Sequence, residues 1–190
     1  MSIVVNHRVN TIEKLKSTPK ECGVEIDLRP YCDRVILHHE PFEDGENFED
    51  FLEAYDHRLL ILNVKSEGIE EKVLQIVNKF NIENYFFLDV TPPFMFKMIN
   101  KGISEMAVRF SEFESIETCL NLKNKVDWVF IDNLTRLPVE NNSFHILKEY
   151  FKLCIVSPEL LHRDEVEETK RLLEDNPVDA VLTDNIQGWF

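Results

Sequence analysis

The sequence is poor in the residues that mark several common classes of protein. It has only five Gly in 190 residues, and its four Cys do not stand at the spacing of a zinc site or of a small disulfide framework. No apolar run approaches the roughly 18 residues of a membrane-spanning helix. The N-terminus lacks a positively charged segment followed by an apolar one, so we expect no signal peptide and a cytoplasmic protein with reduced thiols.

Positive charge is also scarce, because 21 Lys+Arg stand against 35 Asp+Glu and give a formal net charge of −14. Nucleic acids and anionic membranes both bind surfaces rich in Lys and Arg, so we expect neither as a partner. Hydrophobic residues, in contrast, make up 44% of the chain and include 14 Phe, which is enough for a folded core. The length predicts a single domain over residues 1–190.

Short apolar runs alternate with segments of helical periodicity along the whole chain. The predicted strands are Ile3–Asn6, Gly23–Leu28, Leu59–Val64, Tyr85–Asp89, Met106–Phe110, Trp128–Ile131, Lys152–Val156 and Ala180–Thr183. The predicted helices are Thr11–Lys16, Ile69–Phe80, Pro93–Asn100, Ser111–Leu120, Ser143–Phe151 and Glu165–Glu174.

This alternation predicts an α/β fold, and specifically a compact (β/α)8 TIM barrel. The alternative, a doubly wound open sheet, usually has fewer strands and a Gly-rich first turn, whereas the first turn here reads Asn-His-Arg-Val-Asn. The first helix has under two turns and only six residues follow Asp184, so we expect the last helix to be missing. Strand flanks without a covering helix predict a homo-oligomer, with Trp189 and Phe190 as the cover or the contact.

Polar residues stand at the strand ends, where a barrel of this kind places its chemistry. Glu25 and Asp27 share one face of the second strand, and Asn63 and Lys65 share one face at the end of the third. Two carboxylates on one face repel unless a cation lies between them, and Mg²⁺ or Ca²⁺ suits such oxygen ligands. The alternative is neutralisation without a metal by one of the basic side chains nearby, Arg8, Lys65 or Arg109.

Histidines near the predicted strand ends are candidate acid–base groups, because their unperturbed pKa lies near neutrality. His7 stands beside Arg8 at the end of the first strand, and His38 and His39 form a pair after the second. The other histidines are interpreted as surface or hydrogen-bonded structural residues.

Two other segments are interpreted as structural. The segment Glu40–Asp50 has six acids and no base, which predicts a solvated loop that would repel polyanions and favour a small or neutral substrate. Phe94, Phe96 and Met98 are predicted as helix core and not as a ligand site.

Short motifs follow one another in the first forty residues: His7-Arg8, Asn10-Thr11, Glu25-Ile26-Asp27 and His39-Glu40. Their order resembles the glycerophosphodiester phosphodiesterase family of phosphatidylinositol-phospholipase-C-like barrels, which shows His-Arg, Asn-Thr, Glu-x-Asp and then His-Asp. The later segments LILNVKSEG, DWVFID, CIVSPEL and AVLTD…W resemble further strands of that family more loosely. The resemblance therefore extends over nearly the whole chain.

The resemblance implies a divalent metal, Mg²⁺ or Ca²⁺, held by Glu25, Asp27 and Asn63. Asn63 stands where the family has a carboxylate, so the site has one negative charge fewer than expected and should bind metal more weakly. An Asn carbonyl oxygen still coordinates hard ions.

The resemblance further implies the hydrolysis of a small phosphodiester substrate. His7 and His39 would act as the acid–base pair, while Arg8 and Lys65 would stabilise negative charge in the transition state. The residues implied to bind the substrate are Arg109 and Trp189.

The chain departs from the family pattern in ways that keep other functions open. Val9 leads directly to Asn10, where the family has Gly and a longer loop, and Glu40 replaces the Asp of the His-Asp pair. We align His39 with the family histidine, and a shift of one residue would select His38 instead. The alternatives are a catalytically silent barrel that binds a phosphorylated ligand or a protein, and a lyase that forms a cyclic phosphate and stops there.

Overall fold

A mainly parallel β-sheet forms the centre of the computed structural model, which describes residues 2–138 and 142–190. Its strands are β1 (Ile3–Asn6), β2 (Gly23–Tyr31), β3 (Arg34–Leu37), β4 (Glu46–Asn47), β5 (Leu60–Val64), β6 (Tyr85–Leu88), β7 (Ala107–Phe110), β8 (Trp128–Ile131), β9 (Lys152–Val156) and β10 (Ala180–Thr183). The helices are α1 (Ile12–Ser17), α2 (Phe48–Glu53), α3 (Glu70–Lys79), α4 (Pro92–Ile99), α5 (Ile116–Leu120), α6 (Ser143–Tyr150) and α7 (Val166–Asp175). Short 3₁₀ turns span Pro158–Leu161 and Ile186–Trp189.

Eight of the strands lie side by side in the order β6-β5-β2-β1-β10-β9-β8-β7, each parallel to its neighbours. The sheet curls until its edge strands β6 and β7 approach each other at a single parallel bridge between Phe87 and Met106. One hydrogen bond, from the Phe87 N–H to the Glu105 carbonyl at 2.9 Å, accompanies this bridge. The structure thus confirms the α/β class and shows a curled eight-stranded sheet with a sparsely paired seam.

Side chains that alternate along each strand divide the core into two clusters. One lies inside the curl and includes Val5, Ile61, Phe86, Trp128 and Leu182, with the rings of Phe86 and Trp128 stacked at 4.5 Å. The other lies between the strands and the helices and includes outward-facing residues such as Val24, Ile26, Leu62 and Val129. Because apolar side chains fill the interior, polar groups gather where the strands end.

The segment after β2 differs from its prediction. β2 runs on to Tyr31 and turns back into the antiparallel strand β3, which pairs with β4. The prediction of a loop over Glu40–Asp50 is therefore wrong for the second half of this segment, which contains β4 and the start of α2. Phe48 and Phe51, three residues apart, bury an apolar helix face beneath the acidic surface.

Two helix predictions also need correction. α5 begins at Ile116 and not at Ser111, because the Ser115 side chain caps it by accepting a hydrogen bond from the Glu117 N–H at 3.1 Å. In α4, Met98 belongs to the core as predicted, but Phe96 is 56% exposed. No helix in the described ranges is long and apolar enough to cross a membrane.

After β10 the chain forms the 3₁₀ turn Ile186–Trp189 where a helix would otherwise follow. Trp189 packs against the outer core, and its indole N–H donates a hydrogen bond to the Ser157 hydroxyl at 3.1 Å. Phe190 is 70% exposed. The turn thus places apolar surface over the strand flank, and the homo-oligomer stays a prediction that sedimentation would test.

We predict that Trp189→Ala lowers the free energy of unfolding by roughly 1–3 kcal/mol, because it removes half-buried packing and one hydrogen bond. Urea titration followed by far-UV circular dichroism measures this change. Phe190→Ala, at the exposed neighbour, is the control and should change stability by less than about 0.5 kcal/mol. Equal effects of the two substitutions would contradict a covering role for Trp189.

Candidate active site at the strand ends

The carboxyl ends of β2 and β5 bring together four of the predicted site residues. Glu25 and Asp27 of β2 point into the curl, and each is only 1% exposed. The register of the two strands places Asp27 directly beside Asn63. Lys65 follows two residues later, and its Nζ lies 3.3 Å from Asp27 Oδ1. The predicted shared faces are therefore present.

Both carboxylate oxygens of Glu25 accept hydrogen bonds. Oε1 accepts from Asn63 Nδ2 and Oε2 from the backbone N–H of Arg8, each at 2.8 Å. Burial, followed by the negative charge of Asp27, nevertheless raises the pKa of Glu25 to about 7. The buried carboxylate pair therefore favours one proton, or an added cation, near neutral pH.

Asp27 is held by reciprocal hydrogen bonds with Asn10. Asn10 Nδ2 donates to Asp27 Oδ2, and Asn10 Oδ1 accepts from the Asp27 N–H, each at 2.8 Å. The other side-chain oxygen of Asp27, Oδ1, is buried and accepts no hydrogen bond, and the same is true of Asn63 Oδ1. Two neighbouring strands thus each present one buried oxygen that accepts no hydrogen bond, and the one on Asp27 lies near the Lys65 ammonium.

These oxygens decide whether the residues fit a divalent ion. Glu25, Asp27 and Asn63 offer oxygen donors only, as Mg²⁺ and Ca²⁺ prefer, and two of the oxygens, Asp27 Oδ1 and Asn63 Oδ1, accept no hydrogen bond. No group of three or more His, Cys, Asp or Glu in residues 2–138 and 142–190 is arranged to hold a metal, and the third donor here is an amide. The donors fit a hard cation, although the Lys65 ammonium already offsets part of the same charge.

His7 lies beside this cluster and is oriented by a residue from the other end of the chain. Its Nδ1 lies 3.1 Å from Asp184 Oδ1. Burial lowers the pKa of His7, although Asp184 opposes that shift. A neutral imidazole that donates its Nδ1–H to a carboxylate has Nε2 as its basic nitrogen.

Arg8 connects His7 to the second histidine. Its backbone has a φ of +51°, which turns the chain so that the N–H reaches Glu25 while the guanidinium extends to His39. Arg8 Nη2 lies 2.7 Å from His39 Nε2, and His39 Nδ1 lies 2.6 Å from Glu40 Oε1. A guanidinium only donates, so His39 Nε2 is unprotonated and its Nδ1–H donates to Glu40.

His38 has a different environment. Its Nδ1 contacts the backbone of Glu40, and its Nε2 lies 3.7 Å from Glu43 Oε2. Two Arg29 nitrogens donate to the His39 carbonyl at 3.0 and 2.8 Å and so hold the backbone in place. His39, and not His38, therefore contacts the Arg8 whose N–H binds Glu25.

Arg109, implied to bind substrate, lies at the same end of the sheet between two carboxylates. Its Nε is 2.6 Å from Asp89 Oδ1, and its Nη1 contacts Asp132. Asp89 also lies 4.0 Å from Lys65 Nζ, so alternating charges run from Asp27 to Asp132. Trp189 is bound to Ser157 against the outer core. Substrate contacts of Arg109 and Trp189 stay predictions.

Three residues that position the site had no assigned role in the sequence analysis. Asn10 anchors Asp27, while Asp184 and Glu40 orient the two histidines. Asn10 and Glu40 stood within the quoted motifs, and Asp184 closes the last strand, so each carried a weak signal.

The comparisons with known proteins show what the fold resembles. No protein-family model matches the sequence, and no curated protein matches it. Among solved structures, the chain is similar to a candidate glycerophosphoryl diester phosphodiesterase from Agrobacterium tumefaciens strain C58, with a TM-score of 0.68, 16% identity and coverage of 97% of this chain and 94% of that chain. It is also similar to a glycerophosphoryl diester phosphodiesterase from Parabacteroides distasonis ATCC 8503, with a TM-score of 0.66, 14% identity and coverage of 97% and 83%.

A third solved structure has a different activity. A mutant tryptophan synthase α-subunit from Pyrococcus furiosus matches with a TM-score of 0.59, 12% identity and coverage of 97% of this chain and 88% of that chain. The fold is thus one whose neighbours are of the TIM-barrel type. The resemblance to the glycerophosphodiester phosphodiesterases is confirmed as a likeness of fold over 97% of the chain, at 16% and 14% sequence identity.

The raised pKa of Glu25 predicts how stability depends on pH in the metal-free protein. An unfolded Glu titrates near 4.5, whereas folded Glu25 titrates near 7, so between these values only the folded state retains the proton. The contribution of Glu25 is therefore most favourable below pH 4.5 and declines as pH rises through 7, by on the order of 3 kcal/mol. Glu25→Gln removes this titration.

Urea unfolding between pH 4.5 and 8 in a chelating buffer measures the effect as the difference between wild type and Glu25→Gln. We expect the variant to gain stability relative to wild type as pH rises. Glu168→Gln, at an exposed residue of α7, is the control and should show no such trend. A difference that stays constant across this range would contradict the raised pKa.

Proposed function

We propose that the chain is a metal-dependent phosphodiester hydrolase of the glycerophosphodiester phosphodiesterase type. The observation that supports it most directly is a pair of histidines, each with Nδ1 against a carboxylate, of which His39 contacts the same Arg8 whose N–H binds the buried Glu25. The proposal treats the curled sheet as a (β/α)8 barrel whose mouth at the strand ends is the active site. The fold of the neighbouring phosphodiesterases supports the same conclusion.

Charge at the mouth suits a phosphodiester. Mg²⁺ or Ca²⁺ held by Glu25, Asp27 and Asn63 would supply Lewis-acid stabilisation of the phosphate. Lys65 adds positive charge 3.3 Å from Asp27, and Arg8 adds more beside His39. A phosphate oxygen is a stronger acceptor than a neutral imidazole, so bound substrate would take over the Arg8 guanidinium and release His39 Nε2.

The two histidines then exchange protons with the substrate. One imidazole accepts at Nε2 the proton of a hydroxyl beside the phosphate, and that hydroxyl oxygen attacks phosphorus. The bond from phosphorus to the leaving alcohol breaks, and the alcohol oxygen receives a proton from the other histidine in its protonated form. Water then opens the cyclic phosphate with the two roles reversed. Asp184 and Glu40 stabilise the imidazolium of His7 and of His39.

A second candidate function is a catalytically silent barrel that binds a phosphorylated ligand or a protein partner. Two observations favour it: Asn63 replaces a carboxylate, and the Lys65 ammonium lies where it neutralises Asp27 without a metal. A lyase that stops at the cyclic phosphate would use the same residues and differ only in its product.

Metal binding separates the hydrolase from the silent barrel. Calorimetric titration of Mg²⁺, Ca²⁺ or Mn²⁺ into the metal-free protein should give saturable heat that is lost in Asp27→Ala, because this change removes a negative ligand whose Oδ1 accepts no hydrogen bond. Asn63→Glu should bind the metal more tightly, since it restores a negative ligand. Asp33→Ala, at an exposed turn between β2 and β3, is the control and should bind like wild type. Absence of heat and of any thermal shift with all three ions would contradict the metal site.

Histidine substitutions test the chemistry with glycerophosphocholine as substrate. We expect His7→Ala and His39→Ala each to lower turnover by ~10²–10⁴-fold, as loss of a general acid or base does. The double variant should lose little more than either single one, because the two groups act as a unit. His38→Ala is the matched control and should keep wild-type turnover.

The products distinguish the remaining outcomes. Glycerol phosphate identifies a hydrolase and an accumulating cyclic phosphate a lyase, whereas the absence of both metal binding and turnover supports the silent barrel. Loss of activity in His38→Ala with none in His39→Ala would mean that the alignment is shifted by one residue. Full activity in both His7→Ala and His39→Ala would disprove the two-histidine mechanism.

A further inference from the structure

A cleft of about 830 Å³ opens beside the seam between β6 and β7. This volume lies in the range of small-molecule sites, which is about 300–1,000 Å³. Its walls come from α4, α5 and the loop before α5 and are largely apolar, with Met95, Phe96, Phe113 and Leu122 among the lining residues.

The sparse pairing of the seam explains why the cleft exists. Beyond the Phe87–Met106 bridge, Asp89 has a φ of +61° and leaves the strand direction, and the Arg109–Asp89 ion pair spans the gap in place of backbone pairing. Ala107, which faces the interior, and Val108, which faces outward, both line the cleft. Residues from both faces of β7 therefore contribute to the cleft lining beside the seam.

The Arg109–Asp89 ion pair connects the cleft lining to the candidate active site. Asp89 and Arg109 belong to the lining, and Asp89 Oδ2 lies 4.0 Å from the Lys65 Nζ that contacts Asp27. A ligand whose phosphate occupies the mouth can thus extend one substituent into the cleft.

Two aromatic side chains of the cleft are exposed to solvent. Phe96 is 56% and Phe113 is 74% exposed. Isolated exposed apolar residues are common, but two of them on one apolar cleft indicate a surface that binds an apolar group. Because α5 begins only at Ile116, Phe113 lies in the loop before this helix, where it lines the cleft.

The carboxylates near the cleft restrict the net charge of a ligand that places an apolar substituent there. Arg109 is already paired with Asp89 and Asp132, and Glu114 adds another carboxylate to the lining. The exposed residues Glu43 and Asp44 follow the His39-Glu40 pair. A ligand with net negative charge is disfavoured beside these acids, whereas one with a cationic group near its phosphate is favoured.

We propose that the cleft is the subsite for a single alkyl or acyl chain of a zwitterionic phosphodiester. The chain lies between α4 and α5, and the phosphate lies at the mouth near Lys65. The position of the phosphate rests on the proposed function, whereas the apolar character of the cleft does not.

Alkylphosphocholines test the subsite by binding alone, because they have no hydroxyl beside the phosphate and cannot form the cyclic intermediate. Calorimetry with hexyl-, octyl- and decylphosphocholine below their micelle concentrations measures the dissociation constants. We expect each methylene that enters the cleft to tighten binding by about two- to fourfold, the upper value corresponding to the full burial of a CH₂ group at ~0.8 kcal/mol. Affinity that does not change with chain length overturns the proposal.

Matched aromatic substitutions locate the binding site. Phe113→Ser should weaken binding of decylphosphocholine by about three- to tenfold and leave that of glycerophosphocholine unchanged. Phe42→Ser, at a 97% exposed residue outside the cleft lining, is the control and should leave the chain-length dependence unaltered. Thr118→Phe adds bulk to the lining, so affinity should stop increasing at a shorter chain. An equal effect of Phe42→Ser and Phe113→Ser overturns the assignment.

Turnover separates the failure of this inference from the failure of the proposed function. Hydrolysis of glycerophosphocholine without chain-length-dependent binding overturns the subsite and leaves the hydrolase in place. Chain-length-dependent binding that Phe113→Ser weakens supports the subsite even if no phosphodiester is hydrolysed. Sedimentation that shows a dimer lost in Phe113→Ser, with no alkylphosphocholine binding, assigns the cleft to a second copy of the chain and overturns the proposal.

Discussion

The burial of two carboxylates on one strand is the constraint on which the rest of the mouth depends. Glu25 and Asp27 are each 1% exposed, and their mutual repulsion in a region that excludes water has to be offset. The left-handed backbone conformation of Arg8 offsets part of this repulsion, because it directs the Arg8 N–H to Glu25 while the Arg8 side chain reaches His39. The other groups that offset the charge are Asn10, Asn63 and Lys65.

The curl of the sheet accounts for both proposed binding regions. Parallel strands that turn their carboxyl ends to one side gather His7, Asp27 and Lys65 at the mouth. The same curl ends in a seam where β6 and β7 share one bridge, and the short helix α5 leaves the space beside it open. The Arg109–Asp89 pair joins the two regions, since it spans the seam and lies next to Lys65. The proposed ligand, with a polar head and an apolar chain, would occupy both regions.

Local patterns predicted much of the fold. The eight parallel strands lie within a residue or two of their predicted starts, because each is a short apolar run, and only the end of β2 extends further. Periodicity also predicted α3 to within one residue at each end. The hairpin after β2 was missed, and so was helix α2, because the acidic residues of Glu40–Asp50 masked the buried Phe48 and the buried Phe51 that follows it. The seam between β6 and β7 has no sequence signal, since it depends on how far the whole sheet curls.

In the site, too, the local sequence pattern predicted some features, and contacts between residues far apart in the chain decided the others. The sequence alone determined that Glu25 and Asp27 share a face, and likewise Asn63 and Lys65, because side chains alternate along a strand. Only the tertiary structure decided that Asn63 donates its amide to Glu25, that His39 and not His38 contacts Arg8, and that Asp184 orients His7. The last contact joins residues 177 positions apart, and such a pair is brought together by the curl of the sheet and by no periodicity within the chain.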